Sequence, residues 1–573
     1  MVALLWADTW VCPYRPTLHH TTTIGSIFHG YNVYMKYIYR NPNSFQNFYF
    51  TQRAQRILTQ RNAKLDRNHF LCVLCEKLFL YFQVGLLYVL ISIIWVSCLN
   101  ANNVQIQNLT VEDGKLNFTV SWENAWNVVD MAEPNNHDAI WIFGKYRLSE
   151  STWQPLHFDQ NIAEHESNTL DVNLQTTEDE MGMMLNANLS GSGNITANIT
   201  LKIKEDFTAN QDLQIRLFGI EMVYVPEGAF YVGDGLAEKS FVEKNTTNPF
   251  YIDSENTINI EAENGLSALD ITTAPAQNIP PTYPKGYDAF YCMKYEITQQ
   301  QYSDFLNTLT YRQQAQRTKF SPDLPTQSPV LGEQHRNIIA IAQRGWAETV
   351  PAQYGCDANE NGVFNEPDDG QYQACNYLNS GDVQAYLDWA GLRPITELEY
   401  EKACRGPYLP IPKEFAWGTG EVSNATELIE CGSAVEAVTD SIVPNTGLAN
   451  YNYSPIDGPL RAGFAATIST NRQESGATYY GIMEMSGNVW EYCINVDEQG
   501  LLFTGACGDG LLDDLGDADI STWGTVEHGI GLRGGGWNSG DFQDYRDAAV
   551  SARFYAFFPT SMRRNTTGGR GGF

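Results

Sequence analysis

Apolar and polar residues alternate with a period of two through "NNVQIQNLTVEDGKLNFTVSWENAW", residues 102–126, and the alternation breaks at Glu112-Asp113-Gly114. That pattern predicts a strand, a tight turn and a second strand. Similar runs recur at "DAIWIFGKYRL" (138–148), "ITANITLKI" (195–203) and "LQIRLFGIEMVYV" (213–225), so residues 102–218 read as a β-sandwich. Its Asn-x-Ser/Thr sites, such as Asn108 and Asn198, mark exposed turns, and it carries no recognisable chemistry. Beyond it, "MVYVPEGAFYVGDG" (222–235) predicts two short strands around a Pro-Glu-Gly turn, with Gly233 and Gly235 at the exit, and a polar insertion reaches about residue 284. "FYCMKYEITQQQYSDFLNTL" (290–309) predicts a strand and then a helix, with Thr298 and Gln301 as a capping box and Tyr302, Phe305, Leu306 and Leu309 on one face. "RPITELEYEKACRG" (393–406) repeats the device with Thr396 and Glu399, buries Leu398, Tyr400 and Ala403, and stops at Gly406.

One segment breaks the amphipathic pattern. "LFLYFQVGLLYVLISIIWVSCL" (78–99) is an uncharged apolar run of membrane-spanning length, and Arg53, Arg56, Arg61, Lys64 and Arg67 precede it. It predicts a signal or transmembrane segment over 78–98 that sends the remainder outward, to the cell surface or the extracellular space. Residues 1–77 are an N-terminal extension from which no function is drawn. Cys98 weakly resembles a lipidation box, and Cys72-Val-Leu-Cys75 is a lone pair without the second pair that zinc needs.

Charge follows the same division. The chain carries a formal net charge of -31, but residues 1–99 hold nine Lys/Arg against three Asp/Glu, leaving 27 against 64 beyond them. Such acidity excludes a nucleic-acid binder, which clusters cations against phosphate, and suits calcium or cationic partners. Seven cysteines, Cys292, Cys356, Cys375, Cys404, Cys431, Cys493 and Cys507, fall in the exported part, so an odd one stays unpaired.

"MVYVPEGAFYVGD", "KYEITQQQYSDFLN", "RPITELEYEKACRG", "FAWGTG", "GIMEMSGNVWEYC" and "LRGGGWNS" occur in the order seen in the formylglycine-generating enzymes, the sulfatase-modifying factors. Residues 219–573 resemble that family. The resemblance implies an α+β fold: an irregular domain, short in regular structure, similar to the C-type lectin fold. It also implies an activity, the oxidation of a substrate cysteine with copper and oxygen at two cysteines five residues apart, the second three before an arginine. Aligning that arginine with Arg553 places Tyr545 and Val550 at the cysteine positions, and no cysteine follows Cys507. Neither side chain ligates Cu(I) as a thiolate does, so no copper and no catalytic residue are expected. The related ergothioneine-type iron enzymes use three histidines, whereas only His335 and His528 lie beyond residue 219.

Two calcium sites are expected. The resemblance maps the family's structural calcium onto the side chains of Glu484 and Glu491 and the carbonyls of Gly487 and Val489, with Glu484 in place of the usual Asn. Independently, "DANENGVFNEPD" (357–368) fits the D-x-N-x-N-G loop, with Asp357, Asn359, Asn361, the Val363 carbonyl and Asp368 as ligands. The same stretch also reads as an acidic surface loop closed by Cys356 and Cys375.

From Asn538 onward the chain mixes Asn, Ser, Asp, Tyr, Arg and Phe and reads "GGRGGF" where the family continues past Gly-Phe-Arg into a closing strand. This C-terminus resembles the variable proteins of diversity-generating retroelements, ligand binders on a similar fold. The resemblance implies a binding face for a protein or glycan ligand at Asp541, Phe542, Asp544, Tyr545, Asp547, Phe554, Tyr555, Phe557, Phe558 and Asn565. Tyr and Phe supply rigid contact area there, and Asn and Asp adaptable hydrogen bonds. The function expected is therefore exported, non-catalytic ligand recognition. The alternatives are a formylglycine-generating oxidase using another cysteine, with Cys493 the nearest, and a scaffold component of a surface, gliding or secretion machine.

Overall fold

The computed structural model describes residues 104–573, except 129–133, 150, 208–211, 440–442, 468–469, 543–544 and 559; residues 541, 542 and 545 are described by their backbone alone. The apolar run 78–98 and the N-terminal extension lie outside the described residues. Within them no helix is long and apolar enough to cross a membrane.

Strands β1 (Gln105–Glu112) and β2 (Lys115–Asn127) form the predicted hairpin, with Glu112 opposite Lys115. Asp113 (φ 51°) and Gly114 (φ 69°) both take the left-handed conformation that a two-residue hairpin turn requires. Further strands are β3 (Asp138–Leu148), β4 (Gln154–Leu156), β5 (Glu166–Ser167), β6 (Val172–Thr176), β7 (Gly182–Ala187), β8 (Gly191–Lys202) and β9 (Leu213–Val225). One sheet runs β1-β2-β8-β5. Alternate residues of β2 (Leu116, Phe118, Val120, Trp122) and of β8 (Ile195, Ala197, Ile199, Leu201) pack on Ile140 and Ile142 of β3 and Met183 and Leu185 of β7. This is a two-layer core of facing sheets.

The second sheet has two buried faces. Ala139, Trp141, Phe143, Met184, Ile220 and Met222 point away from the sandwich core into the larger core of the chain. Hence "AIWIF" (139–143) reads as a continuous apolar run instead of an alternation. β9 crosses residues 218 and 219 without a break and pairs with β3, while its C-terminal half also pairs with Phe290–Met293. The expected boundary at 218/219 therefore falls inside one strand, because a sheet edge there would leave buried amides unpaired. Trp141 adds to the seam, its indole N–H donating to Ala390 O at 2.8 Å.

The hairpin expected over 222–235 does not form. Both edges of the β9 end are occupied, and Phe230–Val232 pairs instead with Phe250–Ile252. The polar insertion supplies that partner and a second pair, Phe241–Glu243 with Leu266–Ala268, and it buries Phe241, Ile252 and Leu266.

Both predicted capping boxes are present, at the helices Gln299–Leu306 and Glu397–Arg405. Thr396 Oγ1 accepts the Glu399 amide (3.1 Å) and donates to Pro284 O (2.9 Å), while Glu399 Oε2 accepts the Thr396 amide (2.9 Å). Thr396→Ala removes both hydroxyl bonds and is expected to cost about 1–2 kcal/mol in urea unfolding.

Residues 571–573 bridge two neighbouring segments through their backbone without forming a regular strand. Phe573 exchanges both backbone hydrogen bonds with Tyr291 (2.8 and 2.9 Å), Gly572 does the same with Arg393, and Met293 N donates to Gly571 O. Glycine is what lets the chain fit: a Cβ at Gly571 would lie 2.2 Å from Leu387 Cδ2, and one at Gly572 2.8 Å from Tyr291 O.

At the seam, buried Lys145 donates to Gly510 O at 2.7 Å. Burial pushes its pKa down to about 7, against the opposing pull of Asp388 and Asp509. The unfolded chain keeps this proton up to about pH 10.5, so between pH 7 and 10.5 it binds more protons than the folded one, and stability rises with pH by up to about 1.4 kcal/mol per unit. Lys145→Met should abolish that rise in a melting-temperature series across this window.

Candidate functional site

The strands Glu491–Ile494 and Ile530–Arg533 pair antiparallel, with Glu491 opposite Arg533, and carry the two most recognisable motifs side by side. Beneath them Val550 is only 1% exposed and packs in an apolar cluster with Cys292, Cys404, Cys493, Tyr400 and Met485. Carbon thus occupies one of the two expected thiol positions. At the other, Tyr545 lies in a short strand pair, Asp541–Phe542 with Tyr545–Arg546, and its side chain is outside the description.

Cys292, Cys356, Cys375, Cys404, Cys493 and Cys507 are free thiols, so the closure of a loop by Cys356 and Cys375 does not occur. Burial pushes Cys292 and Cys507 up to about 12, and holds Cys404 and Cys493 far above the ordinary thiol range. Burial favours the thiol over the thiolate at each of these four.

Arg553, the marker of the cysteine pair, is wholly buried as a structural ion pair. Its Nε and Nη2 reach Glu397 at 2.7 and 2.9 Å, and its Nη1 donates to Thr273 O at 3.0 Å. Arg533 and Arg405 likewise share Glu401.

Above this layer opens a cavity of about 440 Å³, lined by Tyr453, Trp490, Leu532, Asn538, Ser539, Gly540, Asp547, Tyr555, Phe558, Arg564, Asn565, Thr566 and Thr567. Trp490 meets Tyr555 edge to face at 5.0 Å, and Tyr555 meets Phe558 at 5.3 Å. The floor is fixed by its backbone: Trp537 Nε1 and Asn376 Nδ2 both donate to Asn565 O at 3.0 Å. Tyr453 stands at the mouth, 61% exposed.

Four of the predicted ligand-binding residues, Asp547, Tyr555, Phe558 and Asn565, line this cavity. Two do not. Phe554 lies under the Lys239 ammonium at 4.7 Å, and Phe557 packs on the core beside Arg553. Asp544 and the side chains of Asp541, Phe542 and Tyr545 are outside the described residues. Sequence reasoning missed Tyr453, Trp490, Asn538 and Arg564. The Asn-Ser-Gly turn after "GGGW" was a signal for Asn538, whereas nothing local pointed to Tyr453, which comes from a distant loop.

None of the residues of the first expected calcium position lines the cavity, although Glu491 follows the lining residue Trp490. Glu484 (φ 55°) accepts the Gly463 amide at Oε1 (3.0 Å), and Glu491 Oε1 takes Arg570 Nε at 2.5 Å. Oε2 of each is buried with no hydrogen-bond partner among the described residues. Burial raises both carboxyls to about 7. Two orphaned carboxylate oxygens fit a hard cation, and Glu484 and Glu491 would hold it. None of Asp357, Asn359, Asn361, Val363 or Asp368 lines the cavity.

A family model, the Sulfatase-modifying factor enzyme 1-like domain, matches residues 214–568. The chain belongs to this family. Among curated relatives, the formylglycine-generating enzyme of Bos taurus is 26% identical over 223 residues, covering 38% of this chain and 50% of that protein. Hercynine oxygenase of Mycolicibacterium smegmatis is 29% identical over 112 residues, 19% of each chain. The chain thus spans at most half the length of these relatives. As a sulfatase-modifying factor-like domain it is mixed α/β, mostly strands with few helices, and Arg553 and Val550 stand where the resemblance places an arginine and a cysteine.

Proposed function

We propose that the chain is an exported, non-catalytic recognition protein that binds a protein or glycan ligand in the 440 Å³ cavity. The observation that carries this reading is the burial of Val550 in carbon at the expected thiol position, together with the elevated pKa of every described cysteine for which a shift is resolved. The cavity wall supports it too. Tyr453, Trp490, Tyr555 and Phe558 offer stacking faces, and Asn538, Asp547 and Asn565 offer donors and acceptors for hydroxyl or amide groups. Calcium at Glu484 and Glu491 would neutralise two buried carboxylates, and residues 78–98 would export or anchor the chain.

The test is a screen of the full chain against a glycan array and a displayed peptide library, with Tyr453→Ala as the comparison. Binding lost in the variant with the melting temperature unchanged supports recognition at the cavity. Ligands bound equally by both proteins would move the site elsewhere. The cavity-lining composition of residues 538–567 also motivates the diversified-face reading. Sequencing the locus in a population should find changes confined to adenine-derived codons with a template copy nearby; an invariant segment removes diversification and leaves a fixed binder.

A further inference from the structure

The acidic turn after the strand Gln353–Cys356 is built around unanswered oxygens. Asn365 closes it, its Oδ1 accepting the Cys356 amide (2.9 Å) and its amide donating to Cys356 O (2.8 Å). Inside, Asp357 Oδ2 accepts the amide of Gly362 at 3.1 Å, where φ is +81°. Asn359 Oδ1 accepts the Asn361 amide and Asn361 Oδ1 the Val363 amide, at 3.0 and 2.7 Å. Each of these amide oxygens keeps a second lone pair. On the returning limb, Asp369 Oδ2 accepts the Glu366 amide (2.8 Å), and Gln371 Nε2 donates to Glu366 O (2.5 Å).

Three acceptors are left over. Asp357 Oδ1, Asp369 Oδ1 and Gln371 Oε1 are all buried without a hydrogen-bond donor among the described residues, on side chains that are 5%, 0% and 8% exposed. Burying a carboxylate oxygen without a donor or cation is costly, and here it happens twice in one loop. The stretch 357–371 holds five carboxylates, Asp357, Glu360, Glu366, Asp368 and Asp369, and no Lys or Arg. Asp369, beside the expected terminal ligand Asp368, is the fully buried member, whereas Asp368 is half-buried.

We propose that this loop is a Ca²⁺ site in which Asp357 Oδ1, Asp369 Oδ1 and Gln371 Oε1 meet the ion together with the Asn359 and Asn361 oxygens, Asp369 taking the place expected for Asp368. Oxygen-only donors in a glycine-turned loop suit Ca²⁺ better than Mg²⁺, which demands near-ideal octahedral geometry. An entry path exists: Asp357 and Glu360 line an open cavity of about 570 Å³ with Gln327, Glu333 and Asn337. The site is independent of the ligand-binding cavity and of Glu484 and Glu491, so it stands or falls without the proposed function.

Equilibrium dialysis of the full chain against Ca²⁺ alone tests it. Asp357→Asn/Asp369→Asn should lose one bound calcium per chain relative to wild type, and Asp368→Asn should lose none. In EDTA the double variant should melt no lower than wild type, because neutral amides replace uncompensated buried charge. Hydrogen exchange of the wild-type chain should slow across 357–371 on adding Ca²⁺, a readout that needs no variant to fold. Unchanged stoichiometry in the folded double variant, or exchange at 357–371 that Ca²⁺ leaves unaltered, would overturn the proposal.

Discussion

Replacing Arg553 by Ala lowers the stability of the chain by about 3–5 kcal/mol in urea unfolding, the cost of stranding a buried charge. Glu397 would keep its place at 1% exposure with both oxygens stripped of their guanidinium partner, and Thr273 O would lose its donor. The Phe241 ring, 3.6 Å from the guanidinium carbon, would lose its cationic neighbour as well. The double variant Glu397→Gln/Arg553→Met should recover most of the loss, because no charge remains to be paired. A small loss for Arg553→Ala alone would mean that the ion pair is solvated in solution. It would also remove the argument that the arginine has become architecture.

Tyr453→Ala should weaken ligand binding by tenfold or more while changing unfolding free energy by less than about 0.5 kcal/mol, as expected for an exposed aromatic anchor. The separation of the two effects follows from position: Tyr453 is exposed at the cavity mouth, whereas Trp490 is 7% exposed and edge-packed on Tyr555. Trp490→Ala should therefore lose both binding and stability. If Tyr453→Ala melts early, the residue is part of the core and the cavity has a different rim.

Local rules were legible wherever one residue answers to its neighbours along the chain. The Asp113-Gly114 turn and the capping boxes at Thr298 and Thr396 follow from backbone conformation and spacing alone. Partner choice was not legible. Phe230–Val232 had two equally apolar candidates, and only the prior occupation of β9 by Phe290–Met293 decides for Phe250–Ile252. The backbone bridges made by residues 571–573 were hidden because "GGRGGF" carries almost no side-chain pattern, yet glycine is what lets that backbone pass Leu387 and Val383. In the site, Val550 was legible from its distance to Arg553. Phe554 and Phe557 do not line the cavity, and composition does not say which way an aromatic side chain turns: one covers Lys239 and the other faces the core.

The proposal that this sulfatase-modifying factor-like domain recognises a ligand without oxidising it is tested by incubating the full chain with copper, oxygen and a Cys-x-Pro-x-Arg peptide and analysing the peptide by mass spectrometry. No peptide aldehyde should form, because a valine stands at position 550 and burial favours the protonated thiol at every described cysteine with a resolved shift. Aldehyde formed in proportion to the protein added, and abolished by Cys493→Ser, would contradict it and make the chain a divergent oxidase.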